Sequence, residues 1–321
     1  MGYNRRDFLK LATKTTVAAT AVAATSTAHA SSDKKVAAED AVGCLIDTTV
    51  CIGCRKCEDA CNRSNNLPKP EKPFDDPSVL NTRRRPDEKK FTIINQYEGH
   101  PSKDKPHKAH TFVKFQCMHC IDPACVSACI VGALTKTDKG PVVYDADKCI
   151  GCRYCMVACP FQIPAYEYYN PLTPRVMKCT YCTDKITHEN PNPACAAACP
   201  VEAIVFGKRK DLVKLAHEKI KHRPDRYENH VYGEYEVGGT SWMYLTGKPA
   251  EKIDLLKLPT AAPPRLTEKI QHGIFNYGIL PAAFYGSLAG LMWFNRRKKK
   301  LNEQNHDDST DNNSNKSNKG E

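Results

Sequence analysis

The chain has 321 residues, 17 of them cysteine, and a formal net charge of +11. A mean hydropathy of −0.54 with 26% charged residues excludes a chain that is embedded in a membrane over most of its length. The odd number of cysteines excludes complete pairing into intramolecular disulfides. All of them fall between Cys44 and Cys199, a density that leaves two readings, a disulfide scaffold or a metal protein.

At the start of the chain, Asn4 to Lys10 reads NRRDFLK. An uncharged stretch from Thr15 to Ala28 follows, and then Ala28-His29-Ala30. A basic start, an apolar middle and an A-x-A site make residues 1–30 a signal peptide, and the paired arginines give it a twin-arginine pattern. This predicts export to the periplasm. Residues 31–43 read as a linker.

The cysteines then form four motifs. Motif one is Cys51, Cys54, Cys57 and Cys61 (CIGCRKCEDAC). Motif two is Cys117, Cys120, Cys125 and Cys129 (CMHCIDPACVSAC). Motif three is Cys149, Cys152, Cys155 and Cys159 (CIGCRYCMVACP). Motif four is Cys179, Cys182, Cys195 and Cys199 (CTYC, then PACAAACP). Motifs one and three have the C-x2-C-x2-C-x3-C spacing of bacterial ferredoxins, whose fourth cysteine ligates a neighbouring cluster. Motifs two and four widen the middle gap but keep C-x3-C. Sixteen thiolates supply four [4Fe–4S] clusters, and Cys44 is left over. Zinc sites use separated cysteine pairs and do not need an offset fourth cysteine four times over, so a zinc structural protein is the weaker reading. Cysteines three apart in a tight turn make poor disulfides.

The motifs also repeat. CIGCRKCEDAC matches CIGCRYCMVAC, and DPACVSACIVGAL matches NPACAAACPVEAI. The fold expected for residues 44–210 is therefore α+β, a duplicated dicluster ferredoxin. Residues 62–116 interrupt the first copy and read as a surface excursion or docking element. Spacing does not decide which motifs share clusters, because 19 residues separate motif three from motif two and from motif four alike.

Several other residues carry alternatives. Cys44 reads as a small buried apolar residue rather than a spare ligand. His119, inside motif two, reads as solvent-facing rather than tuning a cluster. Tyr154, Tyr166, Tyr168 and Tyr169 read as packing around motif three, and Arg83, Arg84 and Arg85 as a solvated loop. Residues 211–272 form a C-terminal extension. Within it Leu212, Leu215, Ala216 and Ile220 recur at helical spacing, which predicts an amphipathic helix over Asp211 to His222, ending before Pro224.

Gly273 to Phe294 is 22 residues without a charge, long enough for a transmembrane helix, although Asn276 and Pro281 weaken it. Arg296 to Lys300 follow at once and would stay cytoplasmic. On this reading a single C-terminal helix anchors the chain to the periplasmic side of the inner membrane, and residues 295–321 form a disordered cytoplasmic tail.

The four motifs together resemble the four-cluster ferredoxin subunits of membrane-bound respiratory oxidoreductases, a family that includes the beta subunits of formate dehydrogenase and dimethyl sulfoxide reductase. An export signal combined with GGTSWMYLTGKPAEKIDL and IQHGIFNYGILP is similar to the iron–sulfur subunits of hydrogenase 2 complexes. The resemblance implies that motif one pairs with motif four, and motif two with motif three. Cluster one is then Cys51, Cys54, Cys57 and Cys199, and cluster two Cys61, Cys179, Cys182 and Cys195. Cluster three is Cys117, Cys120, Cys125 and Cys159, and cluster four Cys129, Cys149, Cys152 and Cys155. Ile130 departs from the family, where a proline follows the fourth cysteine as in Pro160 and Pro200. The implied partners are a hydrogenase small subunit with its large subunit, and an integral membrane quinone-reactive subunit. The rival reading is the beta subunit of another exported reductase, of tetrathionate, polysulfide or formate dehydrogenase type.

No P-loop, dinucleotide fingerprint or nucleophile–base pair is present, so the chain reads as a non-catalytic electron-transfer subunit. Four oxidised clusters with sixteen thiolates contribute about −8, which offsets most of the +11 and removes the case for a nucleic-acid partner.

Overall fold

The computed structural model describes residues 37–99, 110–170, 172–187, 189, 191–264 and 283–298. The chain divides into two units. Asp33–Arg265 holds all the cysteines, and the other gathers Met1–Ser32 and Leu266–Glu321.

The first unit mixes short helices with short strands. Its central strand is β1 (Val42–Asp47), whose residues are nearly all buried, as in a strand covered on both faces. β1 pairs antiparallel with β8 (Ile204–Lys208) and parallel with β10 (Trp242–Leu245), and β10 pairs antiparallel with β9 (Val231–Tyr232). The sheet order is β8-β1-β10-β9. In this register Cys44 lies opposite both Phe206 and Trp242. The C-terminal extension thus completes the sheet on which the ferredoxin segment is built.

Three two-stranded ladders accompany it: β2 (Ile93–Glu98) with β3 (His110–Phe115), β4 (Leu134–Lys136) with β5 (Val142–Tyr144), and β6 (Ala165–Tyr166) with β7 (Val176–Met177). Each motif enters a helix: α1 (Lys56–Ser64), α2 (Ala124–Ser127), α3 (Tyr154–Ala158) and α4 (Ala194–Ala197). α1 packs on α4, and α2 packs on α3. The predicted amphipathic helix is α5 (Arg209–His222). It sets Leu212, Ala216 and Ile220 against Leu45, Met243 and Leu245 of the sheet.

The insert departs from expectation. It forms β2 and β3, and Ile94, Tyr97 and Val113 join the largest core cluster together with Cys57, Cys179 and Trp242. Alternating β-branched residues (Ile93, Thr111, Val113) make a hairpin that buries both faces. A polar, proline-rich stretch had masked this core element.

The transmembrane anchor is corrected. Among the described residues no helix is long and apolar enough to cross a membrane. The described helix covers residues 283–298, about 24 Å against the roughly 30 Å of a hydrocarbon core, and it already includes Arg296, Arg297 and Lys298. The apolar run predicted from Gly273 is interrupted in sequence by Pro281, which removes a helix donor, and its first part lies outside the described residues. A placement anchored by a C-terminal span, with a cytoplasmic tail, loses its support with it. The signal peptide of residues 1–30 also lies outside the described residues.

Candidate metal centre

The four motifs share one backbone device. The residue just before the second cysteine is left-handed in each: Gly53 (φ 72°), His119 (φ 46°), Gly151 (φ 71°) and Tyr181 (φ 61°). Glycine adopts this conformation freely, whereas histidine and tyrosine do so only when their surroundings hold them there. In motifs one and three a second left-handed residue, Arg55 (φ 58°) or Arg153 (φ 62°), leads into the helix. Alternating handedness turns successive backbone N–H groups to one side, a concavity suited to an anionic, acceptor-rich group.

The thiols meet in groups. Cys51, Cys54, Cys57 and Cys199 line one small cavity, with Ile46, Ile94 and Lys114. Burial pushes the Cys61 thiol far above its ordinary range, and its neighbours Cys179, Cys195 and Cys182 push the same way. Cys120 is raised by burial and then by Cys117, Cys159 and Cys125. Cys155 is raised to about 11 by burial and by Cys149, Cys129 and Cys152. Neighbouring groups also feel one another: Cys57 faces Cys195, Cys179 faces Cys117, and Cys125 faces Cys155. Thiols this buried stay protonated on their own, so a metal's positive charge is what would hold them as thiolates.

The surroundings fit iron–sulfur clusters. Buried polar atoms nearly always have partners, yet Trp242 Nε1 has none among the described residues. His119 Nδ1 accepts from the Val142 amide at 2.9 Å, so Nε2 carries the proton and faces the Cys179 backbone. Among the described residues no group of three or more His, Cys, Asp or Glu closes around a single ion.

Comparison with known proteins agrees with this chemistry. Residues 108–209 match the 4Fe-4S dicluster domain family. A protein of Nitratidesulfovibrio vulgaris (strain Hildenborough) is 44% identical over 300 residues, covering 93% of this chain and 78% of that one. The hydrogenase-2 operon protein HybA of Escherichia coli O157:H7 is 34% identical over 322 residues, covering 92% of this chain and 96% of that one. The chain belongs to the HybA family. The formate dehydrogenase-O iron-sulfur subunit of Escherichia coli (strain K12) is also similar, at 35% over 215 residues, but the match covers 64% of this chain. The cofactors of this HybA-family chain are [4Fe–4S] clusters, and its sixteen motif cysteines suffice for four.

Other residues of the HybA-family chain depart from the sequence reading. His119 is fully buried rather than solvent-facing, with its ring 4.8 Å from that of Tyr181. The two left-handed residues of motifs two and four thus pack on each other. Tyr154, Tyr168 and Tyr169 stand exposed, while Tyr166 joins the local apolar cluster. In the arginine run Arg83 and Arg85 stand exposed, as a solvated loop would have them, with Arg83 3.6 Å from the Tyr97 ring centre, whereas Arg84 is part-buried and reaches Glu58 at 2.7 Å. Glu58 is buried and also accepts from Arg55 at 3.1 Å and from the Ile94 amide at 2.7 Å. Cys44, by contrast, is buried in β1 as the sequence reading expects, and accepts from the Tyr181 hydroxyl at 3.6 Å.

Sequence reasoning missed two buried lysines, Lys114 and Lys178, and the part-buried Lys136. Burial lowers the Lys136 ammonium to about 8, and its Nζ donates to the Cys120 carbonyl at 2.7 Å. Lys178 Nζ donates to the Val142 carbonyl at 2.7 Å and the Cys179 carbonyl at 3.1 Å. Lys114 sits in β3, inside what looked like a surface excursion. Its one sequence signal is a charge inside the otherwise apolar run TFVKF.

Proposed function

We propose that this chain wires a nickel–iron hydrogenase to a membrane quinone-reactive subunit, and that it is a non-catalytic member of that complex. Each bound cluster supplies one-electron uptake and release. The ligands proposed are Cys51, Cys54, Cys57 and Cys199; Cys61, Cys179, Cys182 and Cys195; Cys117, Cys120, Cys125 and Cys159; and Cys129, Cys149, Cys152 and Cys155.

One observation carries the reading: the thiol groups neighbour one another in series, through Cys57 and Cys195, then Cys179 and Cys117, then Cys125 and Cys155. Such a series is a one-dimensional path. Its ends reach the surface. Cys54 is exposed at one end, and at the other Ile150, Tyr154 and Val157 stand exposed around the half-buried Cys149 and Cys152. The chain's own residues hold the centres in order, exclude water between them and leave two faces for partners. The full-length match to HybA, against the partial match to formate dehydrogenase-O, favours hydrogenase as the electron-supplying partner.

Two measurements test this. The purified chain should carry about sixteen iron and sixteen acid-labile sulfide; zinc without sulfide would overturn the cluster reading. Copurification in gentle detergent should recover a nickel–iron large subunit, and a molybdopterin subunit in its place would transfer the chain to the rival reductases. Cys61→Ser should disturb the centre of Cys179, Cys182 and Cys195 while leaving the one held by Cys51, Cys54 and Cys57. Loss of that second centre instead would break the pairing.

A further inference from the structure

Several buried and part-buried cations among the described residues have a carboxylate. Arg55 and Arg84 converge on Glu58, and Lys219 reaches Asp47 at 3.3 Å. Lys136 and Lys178 instead donate to backbone carbonyls. Lys114 has neither kind of partner among the described residues. Its side chain is 2% exposed, and its one side-chain hydrogen bond goes to the neutral Gln116 Oε1 at 2.9 Å. Its Nζ lies 4.2 Å from the Trp242 ring centre. An ammonium has three donors, so this environment leaves donors and a full charge uncompensated, a costly arrangement unless an anion stands nearby.

The anions available are the cysteine groups. Lys114 lines the cavity of Cys51, Cys54, Cys57 and Cys199. The Trp242 ring it stands over belongs to the same core cluster as Cys57, Cys179 and Cys195, and its charge acts on Cys61, Cys179 and Cys195. Burial works to lower its own pKa, but Cys195, Cys57 and Cys179 outweigh burial and hold it above the ordinary lysine range. It therefore faces ligands of two centres from one position.

We infer that Lys114 is a tuning residue shared by the first two centres, whose fixed positive charge favours their reduced forms and raises both reduction potentials. The inference rests on the ligand sets proposed above. Each reduction adds one electron, received from the preceding centre or the partner, and no proton or bond changes at Lys114. The added negative charge is stabilised by an ammonium that burial keeps unscreened by water.

The test is a potentiometric titration of the purified holoprotein followed by electron paramagnetic resonance, with iron counted in every sample. In Lys114→Met, two of the four centres should become harder to reduce. Their reduced-to-oxidised ratio at a fixed potential should fall at least tenfold, about 59 mV for a one-electron couple. The other two centres should stay within about twofold. Lys114→Arg should restore the wild-type values. Gln116→Glu keeps the lysine but gives it a counter-charge, and should shift the same two centres in the same direction. Should Lys114→Met fail to hold iron, Gln116→Glu decides alone. Unchanged potentials at sixteen iron, or an equal shift of all four centres, overturns the inference. Fewer than sixteen iron in the unmodified chain is a different result, since it overturns the ligand reading on which the inference stands.

Discussion

The two halves of the cysteine region, motifs one with four and motifs two with three, share their cysteine spacing but not their surroundings. Motifs one and four lie beside a four-stranded sheet, and α1 runs nine residues. Motifs two and three have two-stranded ladders, and α3 runs five residues. Arg55 and Arg153 occupy equivalent, left-handed positions. Arg55 is buried against Glu58, whereas Arg153 lies over the Tyr166 and Tyr168 rings near the surface. Met156 stands where Glu58 stands in the repeat. Duplication thus preserved the local ligand loops, while the insert and the C-terminal extension enclosed motifs one and four, one from each copy, and left motifs two and three more open.

The largest effect that separates the halves belongs to Glu58. Glu58→Ala leaves Arg55 and Arg84 buried without their carboxylate, a loss of about 3–5 kcal/mol. It should show as a lower denaturant midpoint for bleaching of the holoprotein's visible absorbance. A change at Met156, its counterpart, has no ion pair to break. An unchanged midpoint for Glu58→Ala would mean that the buried network does not hold the first half together.

The two equivalent glycines give a smaller and more direct comparison. Both are left-handed, so alanine at either costs about 1–2 kcal/mol in backbone strain. At Gly53 an added Cβ would also come within 2.5 Å of the Phe112 ring, which sits in the packed hairpin. Gly53→Ala should therefore lose about 2–4 kcal/mol in total. At Gly151 the near atom is the Tyr166 hydroxyl, the far end of a side chain that can shift, so Gly151→Ala should show the backbone part alone. Equal losses at the two positions would show that the hairpin does not crowd motif one.

Cys44 should have the smallest effect. It lies against the first half, close to Cys195 and Cys179, yet the ligand sets proposed above each hold four cysteines without it. Cys44→Ser should keep its full iron content, and a loss of about four iron per chain would make Cys44 a ligand.

Much of this was legible in the sequence because it is local. The C-x2-C-x2-C-x3-C runs and the spacing of Leu212, Ala216 and Ile220 each describe a few consecutive turns of chain, and the structure returned α5 almost at the predicted bounds. The misreadings have the opposite character. His119 looked solvent-facing because a lone histidine in a polar-looking loop gives no sign that Tyr181, 62 positions away, will pack on it. Arg84 looked solvated because its partner Glu58 is 26 positions earlier. The C-terminal run met a hydropathy criterion, but hydropathy does not register where a proline-interrupted segment becomes helical.

The sequence by itself determined the number and kind of centres, because ligand presentation in each loop depends on residues within one turn of each other. Tertiary structure decided which loops became neighbours, α1 with α4 and α2 with α3. It also decided that the Lys114 charge of β3 would be buried at the cavity lined by Cys51, Cys54, Cys57 and Cys199. Those outcomes depend on contacts between distant segments and on the exclusion of water, and equal spacings along the chain carry no record of either.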